Sequence, residues 1–410
     1  MSELLARFCR YVQIDTQARE GATTYPSSPG QRALAELLAK ELRHIGAQAV
    51  VVTEHSLVYA TIPATSKKNT PAIGWVAHVD TSPESSGQNV KPIIHRDYQG
   101  GDLVLPGDPR QVIRVAENPE LQNYIGGTIV TSDGTTLLGA DDKAGVAVIM
   151  DAAAHLLQHP EIPHGPIRIC FTCDEEIGHG VDHVKLEEFN VTVAYTLDGM
   201  GQGELENETF SADKATVTIH GVNIHPSIAK GRMTNAIRLA AAFISRLPHD
   251  RMSPETTSDR EGFIHPVTIE GGVPAVTIRL LLRDFATAQL AQQAKLLNDI
   301  AADLMKQYPA ARIEVNIEKQ YRNMADGMVQ EPRAVAYALE AIQRAGLKPK
   351  LGSIRGGTDG SRLTEMGLPT PNLSTGEHNP HSPLEWTTLE DLEAAKRVLI
   401  ELVQVWHEHA

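Results

Sequence analysis

The sequence predicts an α/β fold, a mixed sheet flanked by helices, interrupted by a smaller inserted α+β domain. Three observations carry this. Short Val- and Ile-rich segments alternate with helical stretches through the first half of the chain, the pattern of a sheet covered on both faces. Three of those segments end in an acidic or His-containing tip. From about residue 208 the order changes to strand, helix, strand, strand, helix, strand, which is the ferredoxin-like order. At 410 residues the chain exceeds one ordinary core. The expected division is 1–207 for the first segment of the main domain, 208–317 for the insertion and 318–410 for the second segment.

The elements follow in chain order. MSELLARFCRYVQI carries Glu3, Arg7 and Arg10 among its apolar positions, so it reads as an amphipathic helix and not as a signal peptide. Leu34, Leu38, Leu42 and Ile45 recur at helical spacing and predict a helix over 30–45. AVVVTEHSLVYATIP, AIGWVAHVD, PIRICFTC and VAYTLDG read as strands, with a helix over 143–158 opened by ADDKAG. The stretch 81–127 has little periodicity and reads as a long surface excursion of a length that points to a role at the site. In the insertion, Val276, Ile278, Leu280 and Leu282 alternate with Thr277, Arg279 and Arg283, a half-buried strand, while Leu290, Leu297, Ile300 and Leu304 form one helix face. The chain then reads as helix (EPRAVAYALEAIQRAG), Gly-rich loop (SIRGGTDGSRL) and a last helix from about Thr388.

Composition narrows the function. Hydrophobic residues make up 41% and charged residues 21%, as in a globular protein, and no apolar run is long enough to span a membrane. The net charge of −14 argues against nucleic acid or an anionic membrane as partner. Three cysteines do not make a disulfide framework, and a reducing cytoplasm is the expected compartment. Cys170 and Cys173 form a C-x-x-C, but it falls on a strand, where positions three apart face opposite ways.

LLGADDKAGVAVIM poses the chemical question. Asp141 and Asp142 stand side by side between an apolar run and a helix start, and burying two like charges is costly without a compensating cation. Lys143 is adjacent, yet a bound metal is the stronger answer. Candidate ligands lie at other strand ends and loops: His78 and Asp80 in AHVDTS, Glu175 and Glu176 in CDEEIG, Asp198 in TLDGM and His381 in HNPHSPLEW. Each alone has a plain structural reading, such as Asp141-Asp142 capping the following helix or Asp198 holding a turn. Their recurrence at strand tips, where open α/β sheets bind ligands, favours a site. Imidazoles with carboxylates suit Zn²⁺, or Co²⁺ or Mn²⁺, and the count fits two metals sharing one carboxylate. Asp141, central in chain order and at a helix start, is the natural shared ligand.

These residues carry a family resemblance. AIGWVAHVDTSP, LLGADDKAGVA, FTCDEEIG, AYTLDG, NIHPSIAKG, RDF, IRGGTDGSRL and GLPTPNLSTG together resemble the co-catalytic zinc exopeptidases, the family of carboxypeptidase G and dipeptidase V. Within it the chain is most similar to the bacterial tripeptide aminopeptidases, over nearly its whole length. The resemblance implies a zinc-exopeptidase-like catalytic domain with the insertion as a lid, two Zn²⁺ per chain, and short peptides as substrates. It implies that His78, Asp141 and Asp198 bind one zinc, and that Asp141, Glu176 and His381 bind the other. It makes Asp80 the residue that orients the His78 ring and Glu175 the general base that takes a proton from water and returns it to the leaving amine. It places a cis peptide after the bridging Asp, with Asp141-Asp142 as candidate. His225 becomes an oxyanion donor, Arg283 and Arg355 candidates for the substrate's terminal carboxylate, and Gly356 and Gly357 points of close backbone approach to the ligand.

The chain also departs from its relatives. They show HPG at His225-Pro226-Ser227, Pro at Cys173, and a Gly- and Tyr-containing segment where this chain reads STGEHNPHSPLEW. His378 therefore competes with His381 as ligand, and the spacing from NLSTG favours His381. A dipeptidase or an N-acyl amino acid deacylase would use the same metal site, and a non-catalytic peptide-binding protein is the alternative of another class. The lid's edge strands could pair two chains into a homodimer.

Overall fold

The computed structural model describes residues 2–410. It divides into two compact units, one formed by residues through Asn207, Asp326–Gly352 and Thr358–Ala410, the other by Glu208–Ala325 and Ser353–Gly357.

The first unit is built on an eight-stranded mixed sheet among the described residues. Its spatial order is Gln48–Val52, Val58–Ile62, Ile167–Thr172, Ile73–His78, Val193–Met200, Asn372–Glu377, Glu204–Thr209, Lys350–Ile354. The four central strands, from Ile167–Thr172 to Asn372–Glu377, run parallel. Their carboxyl ends therefore meet at one edge, which gathers the residues that end or follow them. IGWVAH is buried at every position, as expected of a parallel strand covered on both faces.

One face of the sheet packs on the helix Ala140–Gln158, flanked by Glu3–Val12 and Leu389–Glu408. The Ala140–Gln158 helix is almost wholly buried because ADDKAGVAVIMDAAA is rich in small residues that let it lie close to the strands. Gly145 is required there, since a Cβ would stand 2.0 Å from the Leu197 carbonyl oxygen. Trp75, Phe171 and Tyr195 point into this core, while Val76, Cys170 and Ala194 join a second cluster with Phe189 and Leu363 on the opposite face. Cys170 and Cys173 thus fall in different clusters, and both are free thiols.

Several elements differ from the sequence reading. AVVVTEHSLVYATIP is two antiparallel strands, because Ser56 takes a left-handed φ of 65° in a turn where Thr53 Oγ1 accepts from Leu57 N. The stretch 81–127 is not structureless. Ile93–His95 pairs with Ile129–Thr131, which pairs with Trp386–Thr388, over a small core of Tyr98, Leu105, Ile113, Leu121 and Trp386. The third strand of this sheet comes from the far end of the chain, so no local periodicity announces it. The short helix Asp359–Glu365, inside the Gly-rich segment, also escaped the sequence reading.

The second unit has four antiparallel strands in the order Phe263–Gly271, Ala275–Asp284, Ser211–His220, Arg312–Tyr321, the ferredoxin-like arrangement. Val276, Ile278, Leu280 and Leu282 are buried against the helices Ala236–Ile244 and Thr287–Gln307. The unit runs past 317 because its last strand continues to Tyr321. It also takes in Ser353–Gly357, where Phe210 N donates to the Ile354 carbonyl and a Cβ at Gly357 would meet the Tyr321 ring at 2.5 Å. Among the described residues no helix is long and apolar enough to cross a membrane.

Candidate metal centre

His78 closes the Ile73–His78 strand and is 2% exposed. Its Nε2 lies 3.0 Å from Asp141 Oδ1 and 3.6 Å from Asp198 Oδ1. Asp141 sends its other oxygen elsewhere: Oδ2 lies 3.1 Å from His381 Nε2, and that nitrogen lies 2.9 Å from Glu176 Oε2. One carboxylate therefore stands between two imidazoles, each with an acid of its own.

The backbone around each member is fixed. Asp141 and Asp142 have non-helical angles at the helix start, and the peptide between them is cis. The pair divides its tasks: while Asp141 meets the histidines, Asp142 Oδ1 accepts from Gly145 N and Oδ2 from His78 N. The capping role and the site role are both present, on different residues. Lys143 turns away, its buried Nζ donating to the Ile14 carbonyl. Glu385, 1% exposed, accepts N–H bonds from Leu138 (2.7 Å), Gly139 (2.7 Å) and Asp141 (3.0 Å) and so holds the turn that presents Asp141.

Asp80, fully buried, accepts the N–H groups of Glu175 and Glu176 through its two oxygens, each at 3.1 Å. It also stands behind His78, whose Nδ1 lies 3.2 Å from the Asp80 carbonyl and 3.4 Å from its Oδ1. Asp174 enters this turn with a left-handed φ of 63°, a conformation Asp tolerates, and is held there by Ser27 and Gln31. Asn372 fixes Asp198 across the parallel pair, accepting from its N–H and donating to its carbonyl. His381 has a φ of 61°. Strained backbone of this kind gathers at functional sites.

The electrostatics call for a cation. Burial raises the Glu176 carboxyl to about 8 and the Asp198 carboxyl to about 6, with Asp141 adding to both. Burial also pushes Glu175 well above the ordinary carboxylate value. Asp141 is pushed up by burial too, but hydrogen bonds from His381 and His78 outweigh this and hold it below its ordinary value. Hydrogen bonds to Asp141 and Glu176 lift His381 to about 11. In the bare protein, protons do the neutralising. Glu176 Oε1 remains buried with no hydrogen-bond partner.

A divalent metal fits this donor set. Ligand atoms of His78, Asp141 and Glu176, of His78, Asp142 and Asp198, and of Asp141, Asp198 and Glu377 each fall within 4.8 Å of one another. Asp142 is the weakest of these candidates because both its oxygens are committed to backbone N–H groups. His378 is occupied elsewhere: its ring stacks on Trp386 at 3.6 Å, and its Nε2 lies 3.4 Å from Asp391 Oδ2.

The remaining predicted residues lie in the second unit. His225 is exposed, and its Nδ1 accepts from Ser227 N at 3.3 Å. Arg283 is buried on the same strand face as the exposed Arg279; it donates to the Asp213 and Leu282 carbonyls and lies over the Tyr321 ring. Arg355 donates to the Asp259 and Glu261 carbonyls and to Thr257 Oγ1, and lies over Phe210 and Phe263. A Cβ at Gly356 would meet little, whereas Gly357 accommodates the Tyr321 ring. Sequence reasoning passed over Glu377, Glu385 and Asn372. Glu377 and Glu385 sit in the same STGEHNPHSPLEW segment as His381, a signal that could have drawn attention to them.

With this geometry in place, the comparisons assign a class. The model of peptidase family M20/M25/M40 matches residues 137–405, and the chain belongs to that family, as a metallo-exopeptidase. Among its relatives is Peptidase T of Geobacillus sp. (strain WCH70), 43% identical over 409 residues and covering 100% of both chains. The fold is that of a tripeptidase from Staphylococcus aureus subsp. aureus Mu50, with TM-score 0.78, 23% identity and coverage of 99% of this chain and 98% of the other. It is also that of a dinuclear metal-binding M20 peptidase from Bacillus subtilis, with TM-score 0.68, 16% identity and coverage of 99% and 98%.

Proposed function

We propose that the protein is a dinuclear zinc aminopeptidase that releases the N-terminal residue from short peptides, tripeptides foremost. The observation that carries this is the divided Asp141 carboxylate, with Oδ1 toward His78 and Asp198 and Oδ2 toward His381 and Glu176. That arrangement provides two ligand sets with one shared member. The Peptidase T relatives and the tripeptidase and dinuclear peptidase folds support the same reading.

When bound at these two sets, divalent cations lower the pKa of water to near neutrality and polarise the substrate carbonyl. The chain supplies the rest. Glu175 sits beside the cluster, its Oε2 4.0 Å from His78 Nε2, and its backbone is pinned by Asp80. Burial raises its affinity for a proton, which suits a group that must take one from the attacking water and give it to the departing amine nitrogen. Asp80 keeps the His78 ring and the Glu175–Glu176 turn in one fixed relation. His225 is proposed as a donor to the developing oxyanion, and Arg283 and Arg355 as partners of the substrate carboxylate; these roles rest on the sequence motifs.

Rates on di-, tri- and tetra-alanine beside N-acetyl-alanine test the proposal. Trialanine is expected to be the best substrate, with free alanine and dialanine as products. A preference for N-acetyl-alanine or dialanine would replace the tripeptidase reading by a deacylase or a dipeptidase. Peptide binding without turnover in zinc-loaded protein would contradict an enzyme altogether.

A further inference from the structure

We infer that Glu377 is a further protein ligand of the metal centre, joining the Asp141–Asp198 side and making that position the more oxygen-rich of the two. This rests on the reading of the site as a dinuclear metal centre.

Glu377 is the last residue of the Asn372–Glu377 strand, which lies parallel to the strand carrying Asp198. The register between them breaks between Ser374 and Glu377. Gly376 there has a φ of 84° and no room for a Cβ, which would stand 2.0 Å from Asp391 Cβ. An irregularity of this kind re-aims the next side chain, as bulges beside active sites do. A carboxylate oxygen of Glu377 falls within 4.8 Å of oxygens of both Asp141 and Asp198.

The side chain has no other adequate use. Glu377 is 3% exposed. Thr375 Oγ1 donates to its Oε1 at 2.7 Å, and its second oxygen receives no hydrogen bond among the described residues. No lysine or arginine pairs with it among the described ion pairs. A carboxylate buried beside two others without a basic partner is stable as an anion only if a cation is shared among them. The neighbouring Glu176 Oε1 is buried with no hydrogen-bond partner, which points to the same need on the other side of Asp141.

Glu377 unbalances the centre. Counting the shared Asp141 on both sides, one position draws on three carboxylates and His78, the other on two carboxylates and His381. Oxygen-rich sets suit harder ions such as Mn²⁺, while sets with a larger share of imidazole suit zinc equally well. The Glu377 side is therefore the position expected to retain Mn²⁺.

The test is equilibrium dialysis of chelator-stripped full-length protein against Mn²⁺, with metal analysis and the electron paramagnetic resonance of bound Mn²⁺ as readouts. Wild type is expected to bind two ions per chain. Glu377→Gln is expected to weaken one of them tenfold or more and leave the other within threefold. Glu377→Asp, which keeps the charge but withdraws the oxygens, provides a second variant read the same way should the first not fold. Unchanged affinity for both ions in a folded variant overturns the inference and leaves the proposed function standing. A raised KM for peptides with a free amino terminus, with unchanged Mn²⁺ binding, would assign Glu377 to the substrate ammonium group instead and equally overturn it. Wild type that binds neither Mn²⁺ nor Zn²⁺ would remove both readings together.

Discussion

Asp80 and Glu175 are joined by one hydrogen bond, 3.1 Å from Glu175 N to Asp80 Oδ1. Because the same buried carboxylate backs the His78 ring, the proposed base and a metal-ligand candidate are positioned by a single side chain. Asp80→Asn keeps one acceptor oxygen and loses the charge. It is expected to lower kcat 10- to 100-fold, the usual cost of losing a ligand-orienting partner, while far-ultraviolet circular dichroism stays unchanged. Steady-state kinetics check this, and a wild-type kcat would separate Asp80 from the reaction.

Glu175 has a different signature. Glu175→Gln removes the proton carrier but none of the proposed ligand atoms. A fall in kcat of about 10²- to 10⁴-fold is expected, the range for losing a general base, with metal content equal to wild type. Metal analysis beside single-turnover kinetics separates the two quantities. Retained turnover, or loss of metal with the base, would reassign the residue.

Much of this was legible in the sequence because the chemistry sits at strand ends. AHVD, CDEE and TLDG each stand at or just past the end of an apolar strand, and parallel neighbours bring such tips to one edge. The fold class followed from the same alternation, and the insertion from a change of element order. What stayed hidden was non-local. The strand Ile129–Thr131 finds a partner in Trp386–Thr388, at the far end of the chain, and no local periodicity encodes that pairing. Glu385 reaches back to the turn before Asp141 from 244 residues away. Glu377 looks in sequence like any acid in a polar loop, and only the register break beside Gly376 turns it inward. Arg283 and Arg279 share a strand face by alternation, yet one is buried against Tyr321, which stands two strands away in the sheet, and the other is exposed.

The metal-free protein should lose stability as pH rises. Burial lifts the folded-state values of Asp198 to about 6, Glu385 to about 7 and Glu176 to about 8, all above their ordinary values. Such groups bind more protons folded than unfolded, so the stability they contribute is full below about pH 4 and is lost as pH climbs through 6 to 8. His381, held near 11 by Asp141 and Glu176, acts in the same direction above about pH 6.5. Asp141, with a lowered value, acts oppositely, but only below about pH 4. Chelator-treated protein is therefore expected to melt at a lower temperature at pH 8 than at pH 5. Added Zn²⁺ should remove most of the difference, because the cation replaces the protons. A higher Tm at pH 8 without metal would contradict this.

Gly145 tests how closely the helix start must approach the sheet. In Gly145→Ala the new methyl carbon would stand 2.0 Å from the Leu197 carbonyl and 2.3 Å from Asp142 Oδ1, a backbone atom and a committed cap. Overpacking of this kind costs about 1–3 kcal/mol, and the rigid neighbours place this site at the upper end. Urea unfolding of the metal-free protein reads the loss, and a change below about 0.5 kcal/mol would show that the helix can shift without cost.

His78, Asp141, Glu176, Asp198 and His381 are proposed to converge on two divalent cations that balance their charge. Anomalous diffraction from zinc-loaded crystals measures this directly. Two peaks are predicted, one within bonding distance of His78, Asp141 and Asp198 and one of Asp141, Glu176 and His381. Peaks at other side chains, or none at these residues at saturating zinc, would rule out the dinuclear centre.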